Sequence, residues 1–258
     1  SWLGDFKYYL HPRIIAIFFL GIAQGFPWVI ISSGLTIWLK ESGIDRATIG
    51  YAGAILIAYS INFLWAPLLD RFNLGFMGKW FGNRRAWILA MQSIIVVGCL
   101  IASNFSPDSQ LRILIIVCIV IGFAAATQDI AIDAFRIESF PESEKKYLTA
   151  GSSMITAGWW TGYAGIGAFP VWLSNRAGWD WPDIYPLMAM LMVLVMIPTL
   201  LIKPRESHKK QTLHKIEKKY LFLFSNQSQK RSNSLFLLIP YFFNECLHSK
   251  IFFVGVNF

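Results

Sequence analysis

Uncharged apolar runs of nearly constant length divide the chain. Arg13 to Lys40 encloses 26 uncharged residues, Arg46 to Asp70 encloses 23 and Arg85 to Asp108 encloses 22. Lys146 to Arg176 encloses 29, and Asp183 to Lys203 encloses 19. A helix needs about 20 residues to cross a hydrocarbon core of about 30 Å. A sixth run begins at Ile113 and reaches Gln128 before meeting Asp129 and Asp133; it spans as well if those two acids are tolerated. The pattern predicts six membrane helices over 14–39, 47–69, 86–105, 112–135, 148–174 and 184–202. Residues 1–13 become a short leading segment and 203–258 a tail. Barrel strands would be about 10 residues long with alternating polarity; these runs are longer and continuous. No signal-peptide cleavage pattern precedes the first span, so it is expected to be retained.

Composition agrees with this pattern. Soluble domains are about 45–50% apolar and about 25% charged, whereas this chain of 258 residues is 55% hydrophobic and 15% charged, with a mean hydropathy of +0.48. A soluble domain needs a polar skin, so the excess apolar residues belong against lipid. Neither a water-soluble enzyme nor a disordered chain fits. The 11 Trp, 9 Tyr and 21 Phe suit a membrane protein, in which aromatics also anchor the interfaces. Cys99, Cys118 and Cys246 show no metal-site spacing and no disulfide framework. No metal and no cofactor is expected.

The net charge of +8 would suggest nucleic acid in a soluble protein. Its position says otherwise. Residues 203–258 carry 10 Lys and Arg against 3 Asp and Glu, and the remainder carries 13 against 12. Attraction of the tail to anionic lipid accounts for the excess. Lys and Arg in the short loops set orientation. The loop between the second and third spans holds Arg71, Lys79, Arg84 and Arg85, and the next on that side holds Arg136, Lys145 and Lys146. The opposite loops hold only Lys40 and Arg46, then Arg112, then Arg176. The N-terminus, the two basic loops and the tail are therefore expected in the cytoplasm.

A charge at a helix centre costs roughly 2.5–3.5 kcal/mol on insertion scales, so polar groups inside the spans are functional candidates. Asp129 and Asp133 lie four residues apart on one helix face, with Arg136 one turn further. Asp133 and Arg136, near the cytoplasmic surface, read as a structural ion pair. Asp129 lies roughly 24–26 Å along the fourth span from Arg112. There an ion pair and a proton-titrating or substrate-facing role are both open. Ala124, Ala125 and Ala126 before it let a neighbouring helix come close. Other spans place Gln24, Gly25 and Pro27, then Tyr59, Ser60 and Asn62, then Thr156, Trp159, Thr161 and Tyr163 near mid-depth. Trp159 and its neighbours can stack on a sugar ring or pack against helices. Gly158-Trp-Trp-Thr-Gly162 fits the GxxxG pattern of close helix packing.

The stretch Ala66-Pro67-Leu68-Leu69-Asp70-Arg71, leading to Gly82-Asn83-Arg84-Arg85, resembles the loop motif of the major facilitator superfamily. It departs by Ala66 in place of glycine and by a longer loop. Cys118 stands where that superfamily often has an arginine, and the fifth span lacks the Gly-Pro pair of drug antiporters. More specifically, three segments resemble the AmpG muropeptide permeases: Leu68 through Arg84-Arg85-Ala86-Trp87 to Gln92; Thr127-Gln128-Asp129-Ile130-Ala131-Ile132-Asp133-Ala134; and Gly21-Ile22-Ala23-Gln24-Gly25-Phe26-Pro27 with Ser33-Gly34-Leu35 and Trp38. The resemblance covers about residues 10–204. It implies an all-α membrane protein, the six-helix N-terminal bundle of such a transporter, in the bacterial inner membrane. It implies import of N-acetylglucosamine–anhydro-N-acetylmuramyl peptides driven by protons, for peptidoglycan recycling. Gly25, Ala126, Gln128 and Asp129 would then serve passage or coupling, with Gln24, Asn62 and Trp159 as further candidates. Asp70, Arg71, Arg84 and Arg85 would serve gating.

The family has two six-helix halves, and only the first is matched. The expectation is a truncated or frameshifted permease that does not transport alone, because such sites lie between two halves. A non-transporting membrane product and a carrier of acetyl-CoA or sugar-type substrates are the alternatives. An intramembrane aspartyl protease is not expected, since two acids one turn apart on one helix cannot flank a scissile bond.

Overall fold

The computed structural model describes residues 7–140, 143–176 and 178–202; the tail from 203, with Cys246 and its expected cytoplasmic placement, lies outside them. Among the described residues the regular structure is entirely helical. Helix α1 comprises Pro12–Trp28, a π segment Val29–Gly34 and Leu35–Glu41. Helix α2 spans Arg46–Leu64 and is interrupted by tight 3-10 turns at Gly53–Leu56 and Asn62–Leu64. Helix α3 is Asn83–Ala102 and α4 is Pro107–Glu138. Helix α5 covers 145–174 in three pieces: Lys145–Trp160, a π segment Thr161–Ile166, and Ala168–Ser174. Helix α6 is Trp181–Leu201.

Five of these, α1 to α4 and α6, are each long and apolar enough to cross a bilayer, so the chain is a multi-pass membrane protein. The expected fifth span, 148–174, is helical but not among those five. Its Gly, Ser, Thr and Trp content lowers its apolarity, and Gly167 separates its last piece. The second predicted span also ends early, at Leu64 rather than residue 69. Trp65 leaves helical geometry with φ −107° and ψ 0°, and Pro67 starts a separate short helix, Ala66–Arg71. Proline has no N–H to continue the preceding ladder but fits a first turn.

Local chemistry sets several helix starts. The His11 side chain accepts from the Arg13 N–H at the start of α1, and Asp45 accepts from the Thr48 N–H at the start of α2. A short helix, Gly75–Phe81, ends at Gly82, whose φ of +80° allows the turn into α3. The Asn83 side chain then donates to the Leu69 carbonyl at 3.1 Å, and the Trp87 indole donates to the Phe72 carbonyl at 3.1 Å.

The buried apolar residues fall into two clusters at different depths. One holds Ile14, Ile17, Leu20, Ile88, Ala131, Ile132 and Val195, toward the end carrying Arg13, Arg85 and Arg136. The other holds Phe26, Ile30, Trp38, Ile95, Leu114, Tyr185 and Met188, toward the opposite end. Cys99 and Cys118 are free and buried in this second cluster. Between the clusters α1 contributes Gln24 and α4 contributes Ala126 through Asp129, so a polar layer crosses the bundle there.

Candidate functional site

Pro27 gives the polar layer its origin. A proline removes the N–H that would bond to the carbonyl four residues earlier, which here is that of Ala23. Gln128 of α4 supplies the missing donor, its Nε2 reaching the Ala23 carbonyl at 2.6 Å. Gln128 is fully buried, and its Oε1 has no hydrogen-bond partner. Its first duty is thus to satisfy the backbone of α1. Ala126, also fully buried, keeps α4 close enough for that bond.

Gly25 packs against the backbone of α5. A side chain at Gly25 would run into the Trp159 carbonyl of α5. One at Gly158 would meet the Phe18 carbonyl, and one at Gly162 the Ile22 carbonyl. Gly21 lies against Gly158. Two GxxxG pairs, Gly21 with Gly25 and Gly158 with Gly162, therefore bring the backbones of α1 and α5 together, as small residues permit. The pair on α5 is legible in the sequence as packing; the pair on α1 completes it.

Asp129 sits next to Gln128. Its Oδ1 is buried and unpartnered, while Gln24 lies within range of the carboxyl. Tyr59 of α2 is near enough to interact electrostatically with Asp129, and its hydroxyl is likewise buried without a partner. Asp133 is held differently: Arg136 Nη2 lies 3.4 Å from its Oδ1, and Arg136 also donates to Ser152 Oγ at 2.7 Å. The expected Asp133–Arg136 pair is present, and Asp129 takes no part in it. Asn62 lies at the interrupted end of α2, where its carbonyl accepts from the Trp65 N–H at 3.2 Å. The Trp65 indole crosses to Thr127 Oγ1 at 3.1 Å.

Aromatic rings join three helices next to this layer. Trp28 lies 4.7 Å from Tyr59 and 5.9 Å from Trp159, centroid to centroid, and Trp159 stacks on Tyr163 at 5.2 Å and 22°. The Tyr163 hydroxyl and Ser33 Oγ are 2.9 Å apart. Trp28, Ser32, Ser33, Thr36, Ile37 and Tyr163 line an open groove of about 520 Å³. Ser32 and Ser33 belong to the π segment of α1, and Tyr163 to that of α5. The two π segments thus meet at the groove, and such insertions recur at functional sites. Of the candidates, Gln24 and Asp129 come together in the polar layer, and Trp159 joins the neighbouring ring row through Trp28 and Tyr163. Tyr163, a mid-depth candidate of the fifth span, lines the groove, together with Trp28, Ser32 and Thr36, which the sequence did not single out. Gln24, Trp28, Ser32 and Thr36 repeat every four residues, and that stripe was the available signal.

The motif residues near the basic end divide in function. Arg84 bonds to Asp70 and to Glu138 of α4, the latter at 2.9 Å. Arg85 forms no ion pair among the described residues. It is nearly buried and donates to the carbonyls of Thr199 at 3.1 Å and Leu200 at 2.6 Å. A cation is well placed against the last carbonyls of a helix. Arg71, exposed, makes no ion pair among the described residues either.

These features define an all-helical membrane bundle with a polar layer and a groove on one side. The sequence profile of the Major Facilitator Superfamily matches residues 14–256, and the chain belongs to that superfamily. The match continues beyond residue 204, where the resemblance read from the sequence stops. AmpG 4 of Rickettsia felis, which carries the name of a transporter, is 34% identical over 200 residues, 78% of this chain and 47% of the relative. The anhydromuropeptide permease of Escherichia coli K12 is 34% identical over 196 residues, 76% of this chain and 38% of that protein. AmpG 3 of Rickettsia typhi is 26% identical over 228 residues, 84% of this chain and 53% of the relative. The chain spans about half the length of the curated relatives it matches. The family and these names are those of carriers rather than enzymes.

Proposed function

We propose that the chain forms one wall of a proton-coupled permease that imports anhydro-muropeptides across a bacterial inner membrane. The likeness to the Escherichia coli permease supports the substrate. The observation that carries the reading is Asp129: a carboxyl in the polar layer of a membrane helix, with one oxygen unpartnered and Gln24 and Tyr59 beside it. A buried carboxyl without an ion pair is suited to exchange a proton. Residues 1–13, the loop bearing Arg84 and the tail would face the cytoplasm, following the basic residues. Asp70, Arg84 and Glu138 would tie the cytoplasmic ends of the helices together during gating.

A superfamily site lies between two halves, so this chain alone is expected to bind its substrate without carrying it across. The test is uptake of labelled anhydro-muropeptide by a permease-deficient strain. The chain alone should give none. Co-expression with the second half of a related permease should restore uptake that a protonophore abolishes. Transport by the chain alone would overturn the one-wall reading. Restored uptake that is unchanged by Asp129→Asn would overturn Asp129 as the proton site.

A further inference from the structure

The groove between α1 and α5 has a chemistry of its own. Its lining residues, Trp28, Ser32, Ser33, Thr36, Ile37 and Tyr163, carry aromatic faces and hydroxyls but no formal charge. Asp129, which interacts electrostatically with Tyr59 at the end of the ring row, is itself an acid. A muropeptide has two unlike parts: a neutral, hydroxyl-rich disaccharide and a peptide bearing carboxylates. The C–H face of a pyranose is electropositive and packs on the negative face of an aromatic ring. Ring hydroxyls at the edge of such a platform fix orientation, as a few placed polar groups do in ligand sites generally. A carboxylate, by contrast, would meet no cation in this lining.

The row also has the right continuity. Tyr59, Trp28, Trp159 and Tyr163 connect α2, α1 and α5 through ring contacts of 4.7, 5.9 and 5.2 Å. Trp159 remains partly exposed, and Tyr163 is anchored through Ser33 at 2.9 Å. The two π segments supply Ser32, Ser33 and Tyr163 at one level. Helical geometry with an inserted residue is costly to keep, and here it turns hydroxyls and a ring toward the same space.

Resting on the muropeptide reading, we infer that this groove is the saccharide subsite, with Trp28 and Tyr163 as stacking platforms, both packed against Trp159, and Ser33 and Thr36 as hydroxyl partners. The peptide portion lies elsewhere.

The chain in lipid nanodiscs, titrated calorimetrically, tests this. The probes are the N-acetylglucosamine–anhydro-N-acetylmuramic acid disaccharide with its lactyl carboxyl capped as the methylamide, the free stem peptide and the intact muropeptide. The disaccharide should bind and compete with the intact ligand, and the peptide should not displace the disaccharide. Tyr163→Ala should weaken disaccharide binding at least 10-fold, Trp28→Phe and Tyr163→Phe each about 3-fold, and Trp80→Ala not at all. The Phe variants keep a ring in place and control for folding, which helicity and a monodisperse elution profile also monitor. Equal disaccharide affinity in Tyr163→Ala and the unaltered chain would overturn the subsite and leave the transport reading standing. Displacement of the disaccharide by the peptide, or binding of the peptide without the disaccharide, would do the same. Failure of even the intact muropeptide to bind would overturn both.

Discussion

Helices α1 and α2 are neighbours in sequence and both apolar, yet they live in different surroundings. In the most apolar stretch of α1, 67% of the residues are buried, against 11% in that of α2. Helix α1 is met by α5 through glycines, by α4 through Gln128 and by α6 through the Tyr185 hydroxyl, which donates to the Ile30 carbonyl at 3.1 Å. Helix α2 has 3-10 turns, exposed Tyr51, Ile57, Phe63 and Leu64, and few such partners. Apolarity says that both can sit in lipid. Close-approach glycines and a helix-interior proline say which one is the central post.

The largest expected effects separate the two helices by their glycines. Gly25→Val places side-chain atoms on the Trp159 carbonyl, and overpacking of this kind costs about 1–3 kcal/mol or more. Gly53→Ala in α2 meets nothing within 4 Å, and Ala should gain about 0.5–1 kcal/mol over Gly where the helix is otherwise unhindered. Thermal unfolding in detergent should show opposite signs. A matching loss at both positions would erase the distinction.

A smaller effect sharpens how α1 is held. Gln128→Leu leaves the Ala23 carbonyl without a donor, at a cost of about 1–3 kcal/mol. Adding Pro27→Ala restores the intrahelical N–H, so the double variant should recover part of the loss. A double-mutant cycle with no coupling between the two positions would show that Gln128 does not stand in for the proline's missing bond.

The smallest effect belongs to the start of α2, which depends on a local cap. Hydrogen bonds from the Thr48 side chain, then its backbone N–H, hold the Asp45 carboxyl below its ordinary value of 3.8. A depressed carboxylate stabilises the fold above its unfolded value, and that contribution fades as pH falls through the lower folded value. Acidification below about pH 4 should therefore loosen the first turn of α2 before it affects α1. Amide exchange at Thr48, followed against pH in the unaltered chain and in Asp45→Asn, checks this. An acid response that survives the substitution would assign it to another group.

Much of this was legible in the residue pattern. Gaps between charges placed α1, α3, α4 and α6 to within a few residues. Gly158 and Gly162 announced close packing, and Asp133 with Arg136 announced an ion pair. What stayed hidden depends on three-dimensional partners. Arg84 and Arg85 are adjacent in sequence and look interchangeable, but one faces Asp70 and Glu138 while the other turns to the end of α6. Gln128 reads as a polar group free for a ligand until Pro27 is seen to have released a carbonyl opposite it. The π segments leave no mark in hydropathy, because one extra residue per turn changes direction rather than composition. The groove was therefore foreshadowed only by the four-residue stripe on α1 and by the aromatics of α5.

Both ends of α1 are pinned. At one end Arg13 donates to the Ser139 carbonyl at 3.4 Å. At the other, the Trp181 indole donates to Glu41 at 2.5 Å while Trp38 and Trp181 stack at 6.2 Å and 15°. A rod clamped at both ends cannot lengthen or swing freely; it relieves strain by redistributing its winding. The stretch Val29–Gly34 already holds the looser winding, so it is the hinge-free place where α1 can take up torque without releasing either clamp.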